Sequence, residues 1–230
     1  MAKLVLFDID GTLVLTGGAG VRAMNRALEA TFGVPDALRG IPVAGRTDWG
    51  ILDEAVRKQG GTLDAAMLAG LQQRYVRHLA DEMRHDGEGP KGVMPGIREI
   101  LDRLAGRGDV MVGLLTGNFE AGARIKLEYF DLWRYFRCGA FGSDAADRNL
   151  LVPFAVRRAR LCGFPDIAPG EVLVVGDTPA DVGCAHAAGA TAIAVATGPS
   201  TVEELRATGA EHVFADLGEI EPFLRLVDAE

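Results

Sequence analysis

The chain alternates between short unbroken apolar runs and longer stretches whose apolar residues recur every three or four positions. The first run, Lys3-Leu-Val-Leu-Phe-Asp-Ile9, has the brevity of a strand buried on both faces, as in a parallel sheet. Val110-Met-Val-Gly-Leu-Leu115, Val172-Leu-Val-Val175 and Thr191-Ala-Ile-Ala-Val195 share that character, and His212-Val-Phe-Ala215 is a weaker case. Between them, Ile97, Ile100, Leu101 and Leu104 form a helical stripe, and Asn118 stands where it can cap a helix running to Phe130. This alternation predicts an α/β fold with a doubly wound parallel sheet. In such sheets ligands sit outside the carboxyl ends of the strands.

One stretch breaks the alternation. From Thr16 to His85 no strand is evident, while Val21, Met24, Leu28 and Phe32, then Leu68, Leu71, Tyr75 and Leu79, make helical stripes. Glycine and proline punctuate it at Gly33-Val-Pro35, Gly40-Ile-Pro42 and Gly60-Gly61, and Asp86-Gly-Glu-Gly-Pro-Lys-Gly92 reads as a linker back to the sheet. The expected organisation is a core of residues 1–15 and 86–230 with an inserted helical domain over 16–85, an insert of ~70 residues.

Composition narrows the setting. A chain of 230 residues with a net charge of −8 offers no basic footprint for nucleic acid or an anionic membrane. It has no apolar segment approaching the ~20 residues that span a bilayer. The opening residues turn polar at Asp8, after too short a run for a signal peptide. Cys138, Cys162 and Cys184 lack zinc-site or disulfide spacing, and His78, His85, His186 and His212 lack ligand spacing. The expectation is a cytoplasmic protein.

Polar residues appear where the apolar runs stop. The first run ends Asp8-Ile-Asp10-Gly-Thr-Leu13, and strand alternation puts Asp8 and Asp10 on one side of the backbone. Like charges that close raise one pKa unless a cation intervenes, and Mg²⁺ prefers hard oxygen ligands. Leu115-Thr116-Gly117-Asn118 offers a hydroxyl and free N–H groups at a helix start, suited either to a phosphoryl oxygen or to plain capping. Gly176-Asp177-Thr-Pro-Ala-Asp181 brings Asp177 to the same rim, while Asp181 fits either a capping box on Thr178 or a metal shell.

Asp8-x-Asp10-Gly-Thr-Leu, then Thr116, then Gly176-Asp177-x-x-x-Asp181, in this order on strand ends, resembles the haloacid dehalogenase-like hydrolase superfamily. The phosphoglycolate phosphatase and phosphoglucomutase branch is the most similar; the resemblance covers essentially the whole chain and implies a Rossmann-like core with an α-helical cap that opens and closes over the site. It implies that Asp8 is a nucleophile forming an aspartyl-phosphate and that Asp10 is the acid/base. It also implies Mg²⁺ at Asp8, Asp10 (through its carbonyl) and Asp177, with Asp181 as a further candidate, and a phosphoryl oxygen held at Thr116, Gly117 and Asn118. The substrate would be a small phosphorylated metabolite. The superfamily's usual lysine before Val172 is missing from Ser143-Asp-Ala-Ala-Asp-Arg148-Asn-Leu-Leu-Val-Pro153, and Arg148 is the candidate replacement, the alternative being a surface arginine. Lys126 is a weaker substitute, expected on an exposed helix face.

Asp10 argues against a dehalogenase, and the absence of lysine between Leu15 and Arg57 argues against a Schiff-base phosphonate hydrolase. A sugar phosphomutase of the same fold remains an alternative, and a phospho-accepting receiver is the rival from another class. Within the cap, Val43-Ala-Gly45-Arg46-Thr47-Asp48 resembles the family's substrate loop. Arg46 there either meets a substrate anion, stays solvated, or pairs with Asp48. Hinges are expected at Thr16-Gly-Gly18 and Asp86-Gly-Glu-Gly89.

Overall fold

The computed structural model describes residues 2–87 and 89–229; Met1, Glu88 and Glu230 fall outside it. The expected hinge at Asp86–Gly89 includes Glu88 and so lies partly outside the described residues.

The first apolar run forms β1 (Lys3–Phe7). The others form β4 (Val110–Leu115), β6 (Val172–Gly176), β7 (Thr191–Val195) and β8 (His212–Phe214). With β5 (Cys138–Ala140) they make a six-stranded sheet ordered β5-β4-β1-β6-β7-β8, every neighbouring pair parallel. The chain lays β4 and β5 on one side of β1, then returns to lay β6, β7 and β8 on the other. The carboxyl end of β1 therefore sits where the winding reverses, the place where such sheets open a crevice.

Both faces of the sheet are covered, which is why its strands read as unbroken apolar runs. Val5 and Phe7 point into one layer with α4 (Ile97–Leu104), α5 (Glu120–Tyr129) and α9 (Ile220–Asp228). Leu4 and Leu6 point into the other, with α6 (Leu151–Leu161), α7 (Pro179–Ala187) and α8 (Val202–Ala207).

Past the first Asp-rich turn, β2 (Val14–Thr16) pairs antiparallel with β3 (Lys91–Val93). Lys91 and Gly92 are thus strand residues, where a linker was expected. This ribbon carries the chain out to α1 (Ala19–Phe32), α2 (Asp48–Lys58) and α3 (Ala65–Glu82) and back. Thr47 and Asp64 cap α2 and α3 by accepting N–H bonds from Gly50 (3.0 Å) and Met67 (2.8 Å). The three helices close on their own apolar cluster, which includes Met24, Leu28, Leu52, Leu71 and Leu79. Phe119, from the loop after β4, inserts into that cluster, its ring 6.2 Å from that of Tyr75. Val21, expected on the buried stripe of α1, is 40% exposed; Ala23 and Ala27 take its place.

Phe7 is fully buried in the central strand, its ring 6.0 Å from that of Phe223. Phe7→Ala should lower the unfolding free energy by about 3–5 kcal/mol, read by urea titration, through lost burial and the cavity left behind.

Candidate active site

The turn after β1 is built around one close approach. Gly11 has φ 83°, and a Cβ there would lie 2.4 Å from an Asp177 carboxylate oxygen. A side chain at 11 would therefore be strained and would collide with Asp177. Thr12 donates its hydroxyl to that carboxylate (3.2 Å), and Thr197, beyond β7, donates to the Gly11 carbonyl (2.6 Å). These contacts tie the ends of β1, β6 and β7 together.

Asp8, Asp177 and Asp181 each offer a carboxylate oxygen within 4.8 Å of the others, and all three residues are buried. Burial, followed by repulsion among the three carboxylates, lifts Asp177 to about 9. Asp8 rises to about 6, mainly from burial, against the opposing pull of Arg148. Arg148 is 7% exposed, with its guanidinium 3.2 Å from Asp8 and bonded to Asp181, so it is no surface arginine. Burial works against its charge, but Asp181 and Asp8 more than offset this and raise its pKa. Asp181 uses its other oxygen on Thr178, accepting from the backbone N–H (3.0 Å) and the hydroxyl (2.7 Å). Asp181 thus makes the capping contacts on Thr178 and also lies within the acidic cluster.

Asp10 turns its carboxylate away from this cluster. Its Oδ2 accepts from Asn118 (2.9 Å) and from the Lys126 ammonium (2.5 Å), and its side chain is 44% exposed. The expectation of a solvent-facing Lys126 is overturned. The residue is 3% exposed and also donates to Asn118 Oδ1 at 2.6 Å. The insert packs over that face of α5, which is what buries it. Asn118 does not cap the following helix: Phe119 holds that position, and the Asn118 side chain serves Asp10, Lys126 and Thr116. Thr116 is fully buried and accepts from the Asn118 side chain at 2.9 Å. Gly117 and Asn118 line the cavity between the insert and the sheet, as do Asp8, Asp10 and Asp177.

The loop before α2 docks directly on this region. The Asp48 N–H donates to the Gly117 carbonyl (2.7 Å), and the Asp48 carboxylate accepts from the Phe119 N–H (2.8 Å). A Cβ on Gly117 would lie 2.0 Å from the Arg46 carbonyl, so only glycine admits the loop so near. Thr47 donates to the Ala146 carbonyl at 2.6 Å, and Gly45 and Arg46 line the cavity. Burial lifts Asp48 to about 6, opposed by Lys126 and the Phe119 N–H. Arg46 does not pair with Asp48; its partner is Glu54 at 2.5 Å, with further bonds to the Pro42 and Gly50 carbonyls. Sequence reasoning missed Asp48 as a docking group and Tyr75 as a cavity residue. The long-range partners that give them those places leave no local signal.

With the geometry in place, comparisons with known proteins sort the chain. The family model described as haloacid dehalogenase-like hydrolase matches residues 5–186. Two relatives named phosphoglycolate phosphatase align almost end to end. That of Rhodospirillum rubrum is 30% identical over 97% of this chain and 91% of its own. That of Chromobacterium violaceum is 31% identical over 94% of each. Among solved structures, CbbY from Rhodobacter sphaeroides in complex with phosphate superposes with TM-score 0.72 at 20% identity, covering 96% of this chain and 97% of its own. The chain belongs to the haloacid dehalogenase-like hydrolase family. Among the described residues no helix is long and apolar enough to cross a membrane.

A carboxyl whose pKa is raised in the folded state contributes stability that disappears as pH climbs from the unfolded value to the folded one. Between about pH 6 and 9, Asp177 alone of the three raised aspartates is still titrating. In chelator, the thermal midpoint should therefore fall from pH 6 to pH 9, and Asp177→Asn should flatten that fall. A midpoint that holds steady in the wild type, or an unchanged slope in the variant, would contradict the crowded-carboxylate account.

Proposed function

We propose that this chain is a magnesium-dependent phosphatase that hydrolyses a small phosphomonoester through an aspartyl-phosphate on Asp8, with 2-phosphoglycolate as the leading substrate. The observation that carries this reading is the convergence of Asp8, Asp177, Asp181 and Arg148 on one buried rim, with Asp10 opening toward the cavity. The family is one of hydrolases, and the near full-length relatives named phosphoglycolate phosphatase point to a phosphoric monoester hydrolase. The sheet with residues 1–15 and 86–230 is taken as the catalytic core, and residues 16–85 as its cap.

In this reading the Asp8 carboxylate attacks phosphorus. The ester oxygen leaves with a proton from Asp10, so that one difficult displacement becomes two easier ones. The Asp10 carboxylate then takes a proton from water as that water attacks the acyl-phosphate, releasing inorganic phosphate and restoring Asp8. Arg148 holds Asp8 from the side and supplies positive charge beside the phosphoryl oxygens. The Thr116 hydroxyl accepts from Asn118, which leaves its own proton to donate to a phosphoryl oxygen, alongside Gly117 and Asn118. The docked Gly45-Arg46-Thr47 loop excludes water from above, and a closed, low-dielectric site strengthens all these contacts.

The donor set suits a hard divalent cation: all carboxylate oxygen, buried, and carrying charge that Arg148 only partly compensates. Asp8, the Asp10 carbonyl and Asp177, with Asp181 beside them, would hold Mg²⁺. When bound, the ion offsets repulsion between the Asp8 carboxylate and the phosphate dianion.

Phosphate release should be measured across a panel of phosphomonoesters with Mg²⁺ or with EDTA. Release is expected only with metal. Asp8→Asn should abolish it, and Asp10→Asn should lower kcat by roughly 10²–10⁴-fold, the scale of general acid–base catalysis. Metal-independent release, or an Asp8→Asn variant that keeps full activity, would reject the reading.

A further inference from the structure

The cavity between cap and core has a volume of about 500 Å³, and its cationic lining among the described residues is Arg46, Lys126 and Arg148. Arg148 is committed to Asp8 and Asp181, and Arg46 to Glu54. Lys126 is placed differently. Its ammonium uses two of three protons on Asp10 and Asn118, leaving one to give.

Beside it stands Tyr75, brought in by the cap helix α3. It is 1% exposed and lines the same cavity, yet its hydroxyl makes no hydrogen bond among the described residues. Burial, with the charges of Asp48 and Asp10, raises the phenol pKa well above its ordinary value, so Tyr75 stays a donor. The two polar tips flank one spot: a Cβ on Gly20 would lie 3.3 Å from the Lys126 nitrogen and 3.8 Å from the Tyr75 hydroxyl. A hydroxyl that lines the cavity and an ammonium with a proton to spare, one from each domain, can both donate to a ligand held between them. Much of the surrounding wall is apolar, with Val21, Met24, Leu38, Val43 and Ile51.

We propose that the Lys126 ammonium and the Tyr75 hydroxyl bind a carboxylate on the organic part of the substrate, and so select phosphomonoesters that carry one. This rests on the phosphatase reading above. The length of the organic part follows from Asp10. An acid that protonates the ester oxygen must come within about 2.6–3.2 Å of it. Lys126 is 2.5 Å from Asp10 Oδ2, and with the proton delivered by the other carboxylate oxygen its ammonium lies within about 8 Å of the ester oxygen. That span accommodates a carboxylate one or two carbons from the ester oxygen. Lys126 and Tyr75 are specificity-determining residues in this account, and the carboxylate, held by groups from both core and cap, rewards closure of the cap.

The test compares 2-phosphoglycolate with its neutral isostere, the carboxamide, as substrates in Mg²⁺ for wild type, Lys126→Met and Tyr75→Phe. The quantity read is the ratio of the two kcat/KM values, which cancels any general damage to Asp10. Wild type should prefer the acid. Lys126→Met should reduce that preference by roughly 10- to 100-fold, the scale of a hydrogen bond to a charged group. Tyr75→Phe, which touches neither Asp10 nor Asn118, should reduce it by about 3- to 10-fold, mostly through KM. If both substrates lose the same factor in Lys126→Met and the ratio is unmoved in Tyr75→Phe, the pair does not read a carboxylate and Lys126 only holds Asp10. If wild type turns over the amide as well as the acid, the carboxylate proposal falls while the phosphatase reading stands. If it turns over neither these two nor any other phosphomonoester, both fall.

Discussion

Three carboxylates from two strand ends and a helix start are forced into one buried corner, and the arrangement around them answers that crowding. A parallel sheet makes it possible, because β1 and β6 are neighbours whose carboxyl ends share one rim, delivering Asp8 and Asp177 side by side. Asp181 arrives from the first turn of α7, fixed there by two bonds from Thr178. Burial, and then repulsion among these charges in a medium that screens poorly, makes Asp177 hold its proton to about 9. Arg148 answers part of the charge from inside. A guanidinium suits the place, since it stays protonated when buried, and its Nη2 meets Asp8 and Asp181 together. The residual negative charge is what a divalent cation would compensate.

Asp10 escapes the crowd by pointing the other way, into a separate network with Asn118 and Lys126. Two carboxylates two residues apart thus meet contrasting environments: Asp8 buried beside Arg148, Asp10 half-open to the cavity beside Lys126. In the proposed mechanism these unlike surroundings let Asp8 serve as nucleophile and Asp10 as acid/base. The cap completes both surroundings. Its docking loop hydrogen-bonds to Gly117 and Phe119, residues adjacent to Asn118, so movement of the cap would be felt at the network that orients Asp10.

Much of this is legible in the chain because the physics is local. Short apolar runs give β1, β4, β6 and β7, since strands covered on both faces need no polar alternation. The acidic residues at their ends stand out as the places where those runs stop. What was not legible depends on distant partners. β5 is three residues of Cys-Gly-Ala, too short and too small to register as an apolar run. β2 and β3 exist because residues on either side of the insert pair with each other. Lys126 reads as solvent-facing because lysine on an amphipathic helix usually is, and only the packing of Gly20 and Tyr75 over that face of α5 buries it. Asp48 looks like a partner for nearby Arg46, yet its carboxylate caps a backbone N–H 71 residues away.

The account turns on Asp8 as the nucleophile that attacks phosphorus, and covalent trapping tests that most directly. Enzyme turning over 2-phosphoglycolate in Mg²⁺ would be quenched in acid, digested and mapped by mass spectrometry. A phosphoryl group confined to the peptide carrying Asp8, and lost in Asp8→Asn, is the predicted result. Turnover with the phosphoryl group on a different residue would contradict it.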